Sequence, residues 1–312
     1  MIRFYANKFR LTLPYRNLKF TIKMKKTILF SIFFFSIMNF SKSQELIKLY
    51  PNGVKESNEI KLPESYRDSS FIKDISEPRM KAYIASKENS NGTAVLICPG
   101  GGYAGVSFIK EGSEFATWFN KLGISAFVLY YRMPNGHWKI PLGDAQRAME
   151  IVNERADEWN IDKRKIGIMG FSAGGHLAST VGTHFKTPEQ KPAFMILAYP
   201  VITMDSSFTH QGSRKNLLGL NPSNDLVQLY SNELMVTKNS PPTFILHAND
   251  DKTVPIKNSL KFYEALKKMH IEVELDTFAI GGHGFGMRKR GIQVDNWPEL
   301  LEKWLKTNKL TK

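Results

Sequence analysis

The stretch Lys165-Ile166-Gly167-Ile168-Met169-Gly170-Phe171-Ser172-Ala173-Gly174-Gly175-His176 decides how the rest of the chain is read. An apolar, strand-like run stops at Gly170, one serine follows after one residue, and small residues then open a helix-like segment. This is a G-x-S-x-G elbow, a sharp strand-to-helix turn that leaves the serine Oγ exposed. Glycine fits at 170 and 174 because side chains would collide where the chain reverses so tightly. The helix that follows aims unpaired N–H groups and a positive dipole end at the space around Ser172. Five residues of pattern also arise by chance, since Gly-Ser turns are common. The elbow therefore takes its meaning from its neighbours.

Upstream, Met80–Ala85 and Thr93–Cys98 read as strands, and Glu111–Leu122 carries Phe115, Ala116, Phe119 and Leu122 at helical spacing before Gly123. Ile124–Tyr131 is a nearly continuous apolar run, the pattern of a strand buried on both faces. Asp144 is placed to cap a helix running to Asn160. Downstream come the strands Phe194–Tyr199, Thr243–His247 and Glu272–Phe278, with helices over 256–269 and 296–306. Strands alternating with helices predict an α/β fold, a mostly parallel sheet with helices on both faces. Glu45–Arg79 reads as a polar lead-in with at most one edge strand. Thr203–Pro242 runs without a clear strand between two sheet strands, and a segment that long is expected to be functional, here a small cap.

A serine hydroxyl is a weak nucleophile until a base takes its proton, and the base needs a third group to orient it. In a sheet of this kind the partners follow as Asp/Glu and then His, each on a loop after a later strand. The chain supplies Asn249-Asp250-Asp251-Lys252-Thr253-Val254-Pro255 after one strand and Gly281-Gly282-His283-Gly284-Phe285 after the next. Pro99-Gly100-Gly101-Gly102 follows an earlier strand and carries few side chains to shield its N–H groups, which suits it to meet an oxyanion. Ala173, next to the serine, offers a further N–H.

On these four motifs, spanning about residues 78–305, the mature chain resembles the α/β-hydrolase superfamily, specifically small secreted bacterial acetyl esterases and acetylxylan esterases. The resemblance implies a carboxylic ester hydrolase acting through an acyl-enzyme, with acetyl groups on xylan-type or other carbohydrate esters as substrates and no cofactor or metal. It implies catalytic Ser172, Asp251 and His283, and an oxyanion hole of Gly101, Gly102 and Ala173. Pro99 stands where His-Gly-Gly-Gly esterases carry histidine. The acid stays open between two neighbours: relatives reading Asp-x-x-Val-Pro place it four residues before the proline, at Asp251, and some peptidase relatives five before, at Asp250. Tyr103 and, in the insertion, Arg214 are the candidate substrate contacts. His176 and His247 read as packed, hydrogen-bonded histidines. A prolyl-oligopeptidase-type peptidase is the alternative enzyme, against which stands the short segment before the first clear strand. A non-catalytic binding protein on the same scaffold is the alternative outside enzymes.

Charge removes one further class. Of a formal +14, nine charges lie in residues 1–43, which hold no acid, leaving +5 on the other 269 residues. That is no footprint for nucleic acid. Residues 24–43 read as a signal peptide, with Met24-Lys25-Lys26, an apolar Thr27–Phe40 and cleavage after Ser43. The apolar run falls short of the ~20 residues of a membrane span. A secreted or periplasmic protein of residues 44–312, with no stable membrane anchor, is expected, with 1–23 as an upstream extension. The single Cys98 sits in an apolar strand and reads as a buried thiol.

Overall fold

Five consecutive apolar strands build the centre of the molecule, and the computed structural model describes them within residues 44–312; the leader reading lies outside these described residues. Strands β1 (Gln44–Lys48), β2 (Ser65–Asp68), β3 (Phe71–Lys73), β4 (Arg79–Tyr83) and β5 (Ala94–Cys98) come first. After them come β6 (Ser125–Tyr130), β7 (Ile166–Phe171), β8 (Met195–Ala198), β9 (Thr243–Ala248) and β10 (Val273–Phe278). Eight of them form one sheet in the order β1-β4-β6-β5-β7-β8-β9-β10, and β2 pairs with β3 in a separate hairpin. From β6 to β10 every neighbour is parallel; β1 and β4 run antiparallel at one edge. Every residue of β5, β7, β8 and β9 is buried, as expected where helices cover both faces.

One face is covered by α1 (Glu114–Lys121) and the terminal helix α7 (Trp297–Thr307), whose Phe115, Phe119, Trp297 and Leu301 pack on Val95, Ile97 and Val128. The other carries α2 (Lys139–Glu154), α3 (Ala173–His184) and α6 (Lys257–Lys268), with Met149, Val152, Leu177, Val181 and Phe262 against Leu96, Phe127 and Ile168. The alternation of facing directions along each strand separates the two cores.

Three expectations change. The polar lead-in holds three short strands rather than at most one, because β2 and β3 satisfy each other's backbone and Ile72 bridges to Val106. Asp144 is not a cap: α2 begins a turn earlier, and Asp144 is fully buried in a salt bridge with Arg132 at 2.6 Å. The helix around Glu111 begins as a π turn, Ile109–Ser113, before α1. Between β8 and β9 the insertion contains helices α4 (Gln211–Leu218) and α5 (Asn224–Leu229) and no strand.

Candidate active site

The elbow forms where β7 ends and α3 begins, and Ser172 between them adopts φ 52° and ψ −120°. A non-glycine residue there is strained by about 1–3 kcal/mol and persists only where its surroundings over-determine it. Here they do: a Cβ on Gly170 would lie 2.2 Å from the Gly174 carbonyl oxygen, and one on Gly174 would lie 2.0 Å from that of Cys98. Only glycine lets helix and strand approach so closely. The Ser172 N–H donates to Ala198 O, and the Ser172 carbonyl accepts from His176 and Val201, so the turn is pinned on both sides.

Three loops at the carboxyl ends of β7, β9 and β10 converge. Ser172 Oγ lies 2.9 Å from His283 Nε2, and His283 Nδ1 lies 2.7 Å from Asp251 Oδ2. A carboxylate only accepts, so Nδ1 carries the proton and Nε2 is left to accept from the serine hydroxyl. The other Asp251 oxygen accepts from the N–H groups of Thr253 and Val254 at 2.8 and 2.9 Å. Burial pushes the Asp251 carboxyl up. Hydrogen bonds from His247 and His283, the imidazole charge and the backbone N–H outweigh that and hold it well below the usual carboxylate range. Asp250 does something else. It is exposed, and its Oδ1 accepts from Gly281 and Gly282 N–H at 2.8 and 2.7 Å, fastening the loop that carries His283.

The glycine loop after β5 is set by its carbonyls. Gly100 O accepts from Ser107 N–H, Gly101 O from Ala104 N–H and Gly102 O from Asn216 Nδ2. In a trans peptide the N–H points opposite to the carbonyl, so fixing the Gly100 and Gly101 carbonyls aims the Gly101 and Gly102 N–H groups the other way. Among the described residues neither N–H finds a protein acceptor. Gly101 takes φ +148°, and a Cβ there would sit 2.1 Å from Gly105 O. Ala173 opens α3, so its N–H has no carbonyl one turn earlier to bond.

These groups share an open cleft of about 500 Å³ lined by Ser172, His283, Gly101, Gly102, Gly284 and Thr253, with Glu111 at its floor. Arg67, Ser70 and Phe71 of the β2–β3 hairpin close one side, and His210, Gly212 and Asn216 of the insertion close another. Of the lining side chains only Phe71 and Ala104 are apolar.

Both candidate substrate contacts lie elsewhere. Tyr103 is 2% exposed and its hydroxyl lies 2.8 Å from His176 Nδ1, so the ring faces the core and not the cleft. Arg214 is half-buried and donates from Nε to Met204 O. Residues 212 and 216, four apart, share the cleft face of α4, and 214 lies on the other side of the helix. His176 is a buried, neutral histidine, its Nε2–H given to Tyr230 O; burial lowers it to about 4. His247 is more than packing: its Nε2 lies 2.9 Å from Val254 O and 3.2 Å from Asp251 Oδ2, behind the acid. Asn216 ends the polar run His210-Gln211-Gly212-Ser213-Arg214-Lys215-Asn216 that the insertion shows in sequence, whereas Glu111 and the hairpin escaped sequence reading. Their links to the site run through tertiary packing, although the Glu111-Gly112 pair shortly after the glycine loop was visible.

A doubly wound sheet with a serine elbow, a later carboxylate and a last histidine, each on a strand-end loop, defines an α/β hydrolase. Within that class the chain belongs to the BD-FAE family, whose model matches residues 80–266, a range that includes the glycine loop, Ser172 and Asp251. It is 41% identical over 224 residues to an acetylxylan esterase of Xylanibacter ruminicola, covering 70% of this chain and 46% of that protein. It is 35% identical over 252 residues to endo-1,4-beta-xylanase B of Butyrivibrio fibrisolvens, covering 76% and 38%. The chain thus spans less than half the length of these curated relatives. The crystal structure of an acetyl ester-xyloside bifunctional hydrolase from Caldicellulosiruptor lactoaceticus superposes with a TM-score of 0.74 at 38% identity, covering 86% of this chain and 97% of that one.

Proposed function

We propose that the protein is a serine carboxylic-ester hydrolase that removes short acyl groups, acetyl foremost, from xylan-type or other carbohydrate esters. The observation that carries this reading is the unbroken chain from Ser172 Oγ through His283 to Asp251, opening onto the cleft. His283 Nε2 takes the Ser172 proton as Oγ attacks the ester carbonyl carbon. Asp251 keeps the imidazole in the right tautomer and stabilises its charged form. The N–H groups of Gly101, Gly102 and Ala173 receive the oxyanion. Collapse expels the alcohol, which takes the proton back from His283, and water then releases the acid by the same path.

The acyl length follows from the lining. A long acyl chain needs an apolar trough, and Phe71 and Ala104 alone do not make one. Arg67, Ser70, Asn216 and Thr253 instead offer hydrogen-bonding groups to a hydroxyl-rich alcohol. The acetylxylan esterase and xylan-linked relatives support the same substrate class. The leader reading adds export, and the segment 203–242 serves as a cap over one side of the cleft. The test is a substrate panel. The purified protein is expected to release acetate from acetylated xylo-oligosaccharides and to prefer p-nitrophenyl acetate over longer esters. A preference for octanoate contradicts the short-acyl reading, and no turnover of any ester leaves the binding-protein alternative.

A further inference from the structure

Glu111 is a buried carboxylate that the steps above do not use. It is 6% exposed, and among the described residues no Lys or Arg forms a salt bridge with it, although the charges of His283 and Lys110 act on it from farther off. Desolvating a carboxyl without a cation is costly unless hydrogen bonds compensate. Burial accordingly pushes the Glu111 carboxyl up, against the pull of its partners. A buried carboxyl kept at that cost invites a role, and the role lies in the groups it holds.

Its two oxygens grip opposite walls of the site. Oε2 accepts from Gly100 N–H at 2.8 Å, directly before the two glycines whose N–H groups face the cleft. Oε1 accepts from Tyr199 Oη at 2.9 Å. Tyr199 follows β8 with φ 39°, is fully buried, and sets its ring 5.0 Å from the His283 ring and 4.6 Å from Phe285. The π turn is what aims Glu111: Ser113 N–H reaches back five residues to Phe108 O, and the extra residue rotates position 111 toward the cleft floor.

We infer that Glu111 is a positioning residue that ties the oxyanion loop, through Gly100, to the Tyr199 ring against which the catalytic base rests. The inference rests on the Ser172 hydrolase reading. The clamp holds Gly101 and Gly102 N–H where oxyanion charge develops and where a ground-state ester makes less use of them. Its loss therefore appears in kcat more than in KM.

The test compares Glu111→Ala with Glu111→Gln. In the glutamine variant the side-chain carbonyl still accepts from Gly100 N–H, and the amide donates to the Tyr199 oxygen, so geometry survives without charge. With p-nitrophenyl acetate, Glu111→Ala is expected to lose about 10–100-fold in kcat, less than the roughly 10²–10³ of an outright lost donor. Its KM should stay within about threefold. Inhibition by a trifluoromethyl ketone, whose adduct carries an oxyanion, should weaken in parallel. Glu111→Gln should stay within about fivefold of the parent in both readouts. An inhibition constant does not depend on the folded fraction, so a purely structural role leaves it unmoved. Should Glu111→Ala not fold, Tyr199→Phe carries the test, with an expected loss of about threefold or more in kcat and in inhibitor affinity. Unchanged kcat and inhibition in whichever of these folds overturns the inference. A Ser172→Ala control separates the failures: activity there defeats the hydrolase reading, and an inactive control beside an unaffected Glu111→Ala defeats the clamp alone.

Discussion

The two sides of the cleft are built by different rules. On one side, Ser172, Asp251 and His283 sit at the carboxyl ends of the parallel strands β7, β9 and β10, and each is held by its own short loop. On the other, the β2–β3 hairpin and α4 reach the cleft from distant parts of the chain, through Phe71 and Asn216. Strand-end loops inherit the rigidity of a buried sheet, which suits groups that must meet within hydrogen-bond distance. Rim elements packed on the surface can vary in shape without disturbing that geometry, which suits groups that select the alcohol. Changes on the first side should therefore act on turnover and changes on the second on affinity.

Ser172→Ala should have the largest effect, a loss of about 10⁴-fold or more in kcat with the fold retained, checked by steady-state kinetics and a thermal melt. The neighbouring acids sharpen the point. Asp251→Asn should lose about 10³–10⁴-fold because the imidazole loses its orienting acceptor. Asp250→Asn, which only loosens the Gly281–Gly282 anchor, should lose roughly tenfold or less. A milder loss at 251 than at 250 would reverse the assignment.

The sheet was legible because buried parallel strands write themselves as short apolar runs ended by Gly or Pro, as at Cys98-Pro99 and Tyr199-Pro200. The chemistry-bearing residues were findable because each follows a strand: Ser172 and Asp251 a fully buried one, His283 the alternating, half-exposed Val273–Phe278. Adjacent Asp250 and Asp251 could not be separated locally, because successive residues in a turn can face opposite ways; only the bonds to Gly281, Gly282 and His283 tell them apart. The hairpin was missed because its β2 residues are exposed and polar, with no periodic signal to read. Tyr103 adjoins the glycine loop and Arg214 belongs to the polar run of the insertion, yet side-chain direction takes both away from the cleft: a left-handed φ of 59° at Tyr103 and the helical phase at Arg214.

A smaller effect concerns stability and belongs to the core behind the nucleophile helix. His176 stays neutral down to about pH 4 in the folded protein. Between about pH 6.5 and 4 the unfolded chain binds a proton that the folded one refuses, so acid lowers stability by up to about 3 kcal/mol over that window. Melting temperatures of His176→Gln should fall less steeply across the same window than those of the parent. The rim should show the smallest change. Arg67→Ala, at an exposed position stacked over Phe71, should raise KM for acetylated xylo-oligosaccharides about two- to fivefold and leave kcat unchanged. A fall in kcat without a change in KM would break the division between the two sides.

The most direct measurement is to quench the purified protein in acid during turnover of p-nitrophenyl acetate and map the acetyl group by peptide mass spectrometry. Added acetyl mass is expected on Ser172 and absent in Ser172→Ala. Acetyl on another residue, with Ser172→Ala turning over as fast as the parent, would contradict the assignment of Ser172 as nucleophile.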